Sequence, residues 1–345
     1  MTMTNNDFQA QLLELINSES DLANVYLQHG LSGYCAFYFW LSQKKCKKSL
    51  EKFAEHLFFK IFKTLPSLPP IDIRNGLSGI GIVIIYLYEN SFLTGSVDSY
   101  LKNIDTYLYR VVCSGIEKNV SVTDVSTLLD VLLYVSKRLD MDDVSQFDRK
   151  IMEKFAIKIF DYIYLSESES LMEEPLISDD HYDLVTLMFV LYRFHKYGLS
   201  NYFLERFFCE IKAKIVTRLP RLGLNRAYLY CILVLINKEF PFDNNEKSYL
   251  EILKSSFSIE KVIMTELKPN QFFGQMGLVK FYFSLKFFIK QEIPIPLPYE
   301  VILEKIKQSD FYGNMNYLIN MPKGIDGLIG FYLLYFDVMQ YGTKK

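Results

Sequence analysis

The sequence predicts an all-α protein: an α/α toroid of seven helical hairpins, apolar helices in an inner ring and amphipathic helices in an outer ring. Three observations lead there. Glycine-headed apolar segments recur along the chain, an amphipathic segment follows most of them, and no convincing run alternates with the period of a β-strand. The clearest segment is Asn75-Gly76-Leu77-Ser78-Gly79-Ile80-Gly81, which continues as Ile82-Val83-Ile84-Ile85-Tyr86-Leu87-Tyr88-Glu89. Its apolar run is too long for an ordinary strand and too short to cross a bilayer. A helix buried on all sides fits. The two glycines strip bulk from one turn and let another backbone approach, at a cost of ~1 kcal/mol each in helix propensity.

The same pattern starts at Gly30-Leu31-Ser32-Gly33, Gly274-Gln275-Met276-Gly277 and Gly324-Ile325-Asp326-Gly327. The first glycines lie 46 residues apart in the leading pair and 50 apart in the trailing pair, with 198 between. That inner gap is four steps of about fifty, a repeat-type period. Three more units are therefore expected near positions 125, 175 and 224. Apolar runs at 128–135, 184–192 and 223–236 fill those places without keeping both glycines.

The amphipathic partners read as follows. A leading helix is expected over 8–28, and 49–62 follows the first unit until Pro66, Pro69 and Pro70 end it. Later partners fall at 97–113, 147–164, 202–216, 249–267 and, in shorter form, 300–306. Turn-forming residues fill 140–143, 166–170, 243–245 and 294–298. An open solenoid would need polar caps on its end repeats. The first and last units here are as apolar as the middle ones, so a closed ring spanning 1–345 as one domain is expected.

Composition narrows the function classes. Half of the residues are hydrophobic, and 28 Phe and 25 Tyr supply a large core. A net charge of −2 gives no global field for nucleic acid or an anionic membrane. Five scattered cysteines, with no CxxC pair, point to reduced thiols in a cytoplasmic protein. The first residues carry neither a basic nor a long apolar region, so neither a signal peptide nor membrane insertion is expected. There is no P-loop, no HExxH and no Gly-x-Ser-x-Gly, and Gly76-Leu77-Ser78-Gly79-Ile80-Gly81 follows no strand.

Two Gly-Leu-Ser-Gly motifs in succession, each opening an apolar helix, with about seven such units in all, resemble the lanthionine synthetase C-like (LanC-like) family of bacterial peptide-modifying proteins. The likeness is densest over 27–115 and returns at 271–337. It implies glycine motifs at the inner-helix N-termini around a central cavity, where active members hold zinc and close thioether rings. The family's zinc ligands are a Cys in a Trp-Cys-Tyr-Gly-type motif and a Cys-His pair. Here Phe272 stands where the first Cys would be, Asn225-Arg226 replaces a Ser-His or Cys-Tyr pair, and Pro322-Lys323 precedes Gly324. The resemblance therefore implies a divergent member with no zinc or other cofactor. It would be a pseudoenzyme that holds a precursor peptide or a maturation enzyme in a ribosomal-peptide modification system.

An alternative keeps an activity without zinc, a peptide cyclase or other enzyme using acid and base groups at the ring centre. Its candidates are His29, Asp180, His181 and Arg226, with Asp72, Asn75, Asp183, Asn225 and Asp326 beside them at the helix starts. Each also has a plainer reading as a cap or loop hydrogen bond. Cys35 and Cys231 read as small buried hydrophobes, His56 and His195 as surface or packing residues. Lys44-Lys45-Cys46-Lys47-Lys48 reads as a solvated loop, with an acidic partner as its functional reading. A glycosidase-type carboxylate pair has no basis in the sequence.

Overall fold

Every glycine-headed or worn apolar segment forms a helix in the computed structural model, which describes residues 5–17, 24–118, 124–167, 170–175, 182–199 and 202–342. In chain order the helices are α1 (Asn5–Asn17), α2 (Leu31–Lys45), α3 (Lys48–Thr64), α4 (Leu77–Glu89), α5 (Asp98–Lys118), α6 (Val125–Leu139), α7 (Gln146–Glu167) and α8 (Asp183–Lys196). They continue as α9 (Tyr202–Ile215), α10 (Gly223–Glu239), α11 (Asn244–Ser255), α12 (Ile259–Thr265), α13 (Leu278–Lys290), α14 (Tyr299–Lys307), α15 (Met315–Ile319) and α16 (Leu328–Gly342). No strand forms among the described residues; Lys268 and Gly277 make an isolated parallel bridge. Among the described residues, no helix is long and apolar enough to cross a membrane.

Two compact units divide the chain, and the division falls within α8 and α9. In the unit of residues 22–173 and 186–211, α4 packs on α2 and α6, while α2 carries α3, α4 carries α5 and α6 carries α7. Its amphipathic helices touch in turn: α5 packs on α7, and Phe58 of α3 meets Tyr100 of α5 at 5.8 Å between ring centroids. The burial pattern explains the two roles. α4 buries residues on every face, whereas α3 buries the single stripe Ala54, Leu57, Phe58 and Ile61. At roughly 1.5–3 kcal/mol for a fully buried large apolar side chain, that stripe anchors α3 despite its charged outer face.

The other unit comprises residues 1–21, 174–185 and 212–345. There α10 packs on α11 and α12, α12 on α14, and α14 and α13 on α16. Helix α1 packs on α15 and α16. Fully buried Phe8 sits among Tyr312, Tyr335 and Phe331, with ring centroids at 4.6, 5.2 and 6.2 Å.

The glycines act at the helix starts. Gly30, Gly76 and Gly277 are the N-caps of α2, α4 and α13, and Gly327 immediately precedes α16. A Cβ on Gly76 would lie 2.5 Å from the amide nitrogen of Asp72, and one on Gly277 2.7 Å from the carbonyl of Gln271. On Gly79, Gly327 and Gly330 it would strike the carbonyl oxygens of Ile73, Pro322 and Ile325. The preceding turn thus lies directly against the first turn of the helix and accepts its free amides. Leu31 donates to Asn24, Leu77 to Pro70, Leu278 to Lys268 and Leu328 to Pro322, at 2.8–3.0 Å. The Ser32 and Ser78 hydroxyls add bonds to the carbonyls of Val25 and Ile71. In α13 and α16 the second glycine of the sequence motif holds the capping position that the first holds in α2 and α4.

Two local expectations are corrected. Of the leading helix expected over 8–28, the described part runs Asn5–Asn17, and residues 24–30 form not helix but the turn that packs under α2. The single helix expected over 249–267 is two, α11 and α12, because the Ser258 side chain caps a new start by accepting from the amide of Lys261 at 3.2 Å. The short helix α15, capped by Asn314, and a 3-10 turn at Ser170–Met172 had no counterpart in the sequence reading.

A methyl group at position 79 has no room without moving backbone. Gly79→Ala should therefore lower stability by about 1–3 kcal/mol, read as a shifted urea midpoint at unchanged helical circular dichroism.

Candidate functional site

The turns before the buried helices hold most of the residues singled out in the sequence. In the unit that contains α2 and α4, Asp72 Oδ1 accepts the Asn75 amide at 2.7 Å, a local turn bond. The Asn75 side chain donates to Gln28 Oε1 at 3.2 Å, while the Gln28 amide donates to the Arg74 carbonyl at 2.9 Å, so the two turns are stitched together. Asp130 of α6 accepts the Ile73 amide at 3.0 Å and extends the stitching. His29 stands half-buried in the first of these turns, with a buried Nδ1 that has no hydrogen-bond partner among the described residues.

In the other unit the start of α10 needs outside help. Its N-cap is Leu222, whose side chain accepts nothing. Two distant carboxylates replace it. Glu174 accepts the amides of Arg221 and Leu222 at 2.6 and 2.8 Å, and Glu266 those of Gly223 and Leu224 at 3.0 and 2.9 Å. Negative charge here also faces the positive end of the helix dipole. Asn225, fully buried, donates to Glu174 at 2.8 Å and accepts from Gln275, whose Oε1 accepts the Tyr182 amide at 3.3 Å.

Arg226 points its guanidinium at three backbone carbonyls: Pro220 at 2.5 Å, Ser256 at 2.9 Å and Arg221 at 3.2 Å. Asp326 accepts the amides of Phe272 and Phe273 at 2.7 and 2.9 Å. These are structural tasks. Asp183 opens α8, and Asp180 and His181 lie outside the described residues. Burial pushes the thiols of Cys35 and Cys231 well up, so both stay protonated. Among the described residues, no group of three or more His, Cys, Asp or Glu is placed to hold a metal ion.

A separate concave site lies between α5, α6 and α7, with a volume of about 520 Å³. Leu108, Val135, Ile151 and Met152 line it, and Tyr109 and Phe155 pack together beside them at 5.3 Å between centroids. Its polar part centres on Arg138, which is 1% exposed in the last turn of α6. The guanidinium pairs with Asp98, with Asp105 at 3.3 Å and with Asp143 at 3.8 Å. Asp143 also accepts the Val97 amide at 3.1 Å, at the start of α5. Tyr134, one turn before Arg138, donates its hydroxyl to Asp105.

One guanidinium shared by three carboxylates leaves a charge imbalance. Burial pushes Asp105 up to about 7; the Tyr134 hydrogen bond pulls it down, and nearby Asp148 adds to the rise. A carboxyl that titrates near neutrality, in a cavity, is a recognised mark of a functional position. The sequence reading missed this site because its residues are far apart in the chain and sit on helices read as packing elements. The spacing of Asp98, Lys102, Asp105 and Tyr109 along one face of α5 is the one local signal.

No protein-family model matches the chain, and no curated protein matches it.

Arg226→Ala should cost about 1–3 kcal/mol by orphaning three carbonyls, and Arg226→Lys should not restore the loss, because one ammonium cannot span the fork. Parallel denaturation curves would show both. Asp105 gives a pH signature. Its raised folded pKa means the native state holds the proton more tightly than the unfolded chain does. The stability it contributes is greatest below the unfolded value near 4 and is lost as pH rises through about 7. Between about pH 5 and pH 8 the wild type should lose about 2 kcal/mol relative to Asp105→Asn, measured by urea titration at each pH.

Proposed function

We propose that the chain is a divergent LanC-like protein, a closed ring of seven helical hairpins. Its role is to hold a precursor peptide or a maturation enzyme of a ribosomal-peptide modification system, without zinc. The observation that carries this reading is the recurrence of glycines at helix starts, Gly30, Gly76, Gly277 and Gly327, each with the preceding turn lying against the helix start. The packing of α1 on α16 supports closure, since it joins the first helix to the last. The employment of Arg226 and Asp326 in backbone bonds, and of Asn225 in bonds to the Glu174 and Gln275 side chains, supports a scaffolding role at the turns.

Acid–base chemistry at the ring centre is the second reading, and the unpartnered Nδ1 of His29 is the observation in its favour. Two measurements decide. Elemental analysis of the purified protein should find well under about 0.1 zinc per chain; close to one tightly held zinc would overturn the metal-free reading. Fluorescence anisotropy with a labelled precursor peptide encoded beside the gene should show saturable binding. If His29→Gln abolishes a product-forming activity while leaving that binding unchanged, the second reading prevails.

A further inference from the structure

We propose that the cavity between α5, α6 and α7 binds an alkyl ammonium or guanidinium group carried on an apolar or aromatic stem. The argument begins with charge. Asp98, Asp105 and Asp148 stand on the walls, against Arg138 and the rim residue Lys102. Arg138 is already engaged by Asp98, Asp105 and Asp143, one cation among three carboxylates. Asp148 accepts the Ser145 hydroxyl at 2.6 Å and feels the Arg138 guanidinium without a direct ion-pair contact to it among the described residues. The lining therefore carries three carboxylates against two cations, one of them already shared, and an anion entering it would meet a net negative wall.

The rest of the lining fits the stem of such a ligand. Leu108, Val135, Ile151 and Met152 offer an apolar wall, and the Tyr109–Phe155 pair offers aromatic surface over which a cation can rest. Tyr109 is 45% exposed and Ile151 37% exposed, so the apolar wall reaches the surface and the cavity can be entered from solvent. About 520 Å³ is ample for a basic amino-acid side chain with a neighbouring residue. Such a cation could arrive as a peptide side chain or as a free amine. The assignment stands on this cavity and not on the glycine turns, so zinc in the protein or a precursor peptide that fails to bind would leave it untouched.

The probes are acetyl-Phe-Arg-amide, its citrulline counterpart and agmatine, titrated calorimetrically into the full chain at about pH 8. The arginyl dipeptide or agmatine should bind, and the uncharged citrulline probe should bind roughly tenfold more weakly or not at all. Tighter binding of the dipeptide identifies a peptide side chain as the ligand, and tighter binding of agmatine a free amine. Asp148→Asn should weaken the cationic probes roughly fivefold and leave the citrulline probe unchanged. Ile151→Trp, which fills the mouth, should abolish binding at an unchanged melting temperature; if that variant misfolds, the Asp148→Asn comparison decides.

Affinity should also fall as pH drops from about 8 to about 6, because Asp105 takes up a proton and withdraws its charge. The groups facing Asp105 are Asp98 and Lys102 on its own helix, Tyr134 and Arg138 on α6, Asp143 after α6 and Asp148 on α7. Equal binding of the arginine and citrulline probes would overturn the assignment. So would no binding by any cationic probe at millimolar concentration, or full binding by a folded Ile151→Trp variant.

Discussion

The constraint behind this architecture is the supply of acceptors for the first amides of each buried helix. Those amides have no partners within the helix and cannot be left dry. A glycine cap offers no side-chain oxygen, and none of Gly30, Gly76 or Gly277 provides a side-chain bond. What it offers is space. With no Cβ in the way, the carbonyls of the preceding turn come close enough to accept the amides directly. Helices without a capping glycine solve the problem differently. Asp124 caps α6, Asp243 and Glu246 form a capping box on α11, Ser258 caps α12, and Glu174 with Glu266 serves α10 from a distance.

That requirement also explains why so many polar residues at the turns have no spare chemistry. An aspartate that accepts two backbone amides, as Asp326 does, is held in one orientation by its own task. The polar cluster with unmet charge lies elsewhere, around Arg138. A buried guanidinium is costly to hold without counter-charges, and three carboxylates surround it. Desolvation of Asp105 then makes its ionisation responsive at physiological pH.

Helix identity was legible wherever apolar residues filled every face or a clear stripe. That is why α4, α5, α7, α9 and α14 fall within a few residues of their expected places. Legibility failed where a buried residue was taken for a helical one. Val25 and Tyr26 continue the apolar spacing of α1, yet they belong to a turn, and Val25 is buried because that turn is packed under α2. The break between α11 and α12 was masked by apolar residues on both sides of Ser258. Among candidate residues, the helix starts were located correctly, but not the bonds that occupy them. Those bonds come from Glu174, Glu266 and Gln275, which lie about fifty residues from their partners, and no local pattern reveals them.

The seating of Phe8 among Tyr312, Phe331 and Tyr335 has a consequence for how the chain is made. During translation α1 leaves the ribosome more than three hundred residues ahead of the helix that shelters it. Throughout that interval Phe8, Leu12 and Ile16, all buried in the finished molecule, lack the α15 and α16 contacts that their helix makes there. The nascent chain must therefore carry a greasy, waiting segment until α16 has been made. Such a delay favours chaperone attendance and makes the emergence of α16 the step that covers α1.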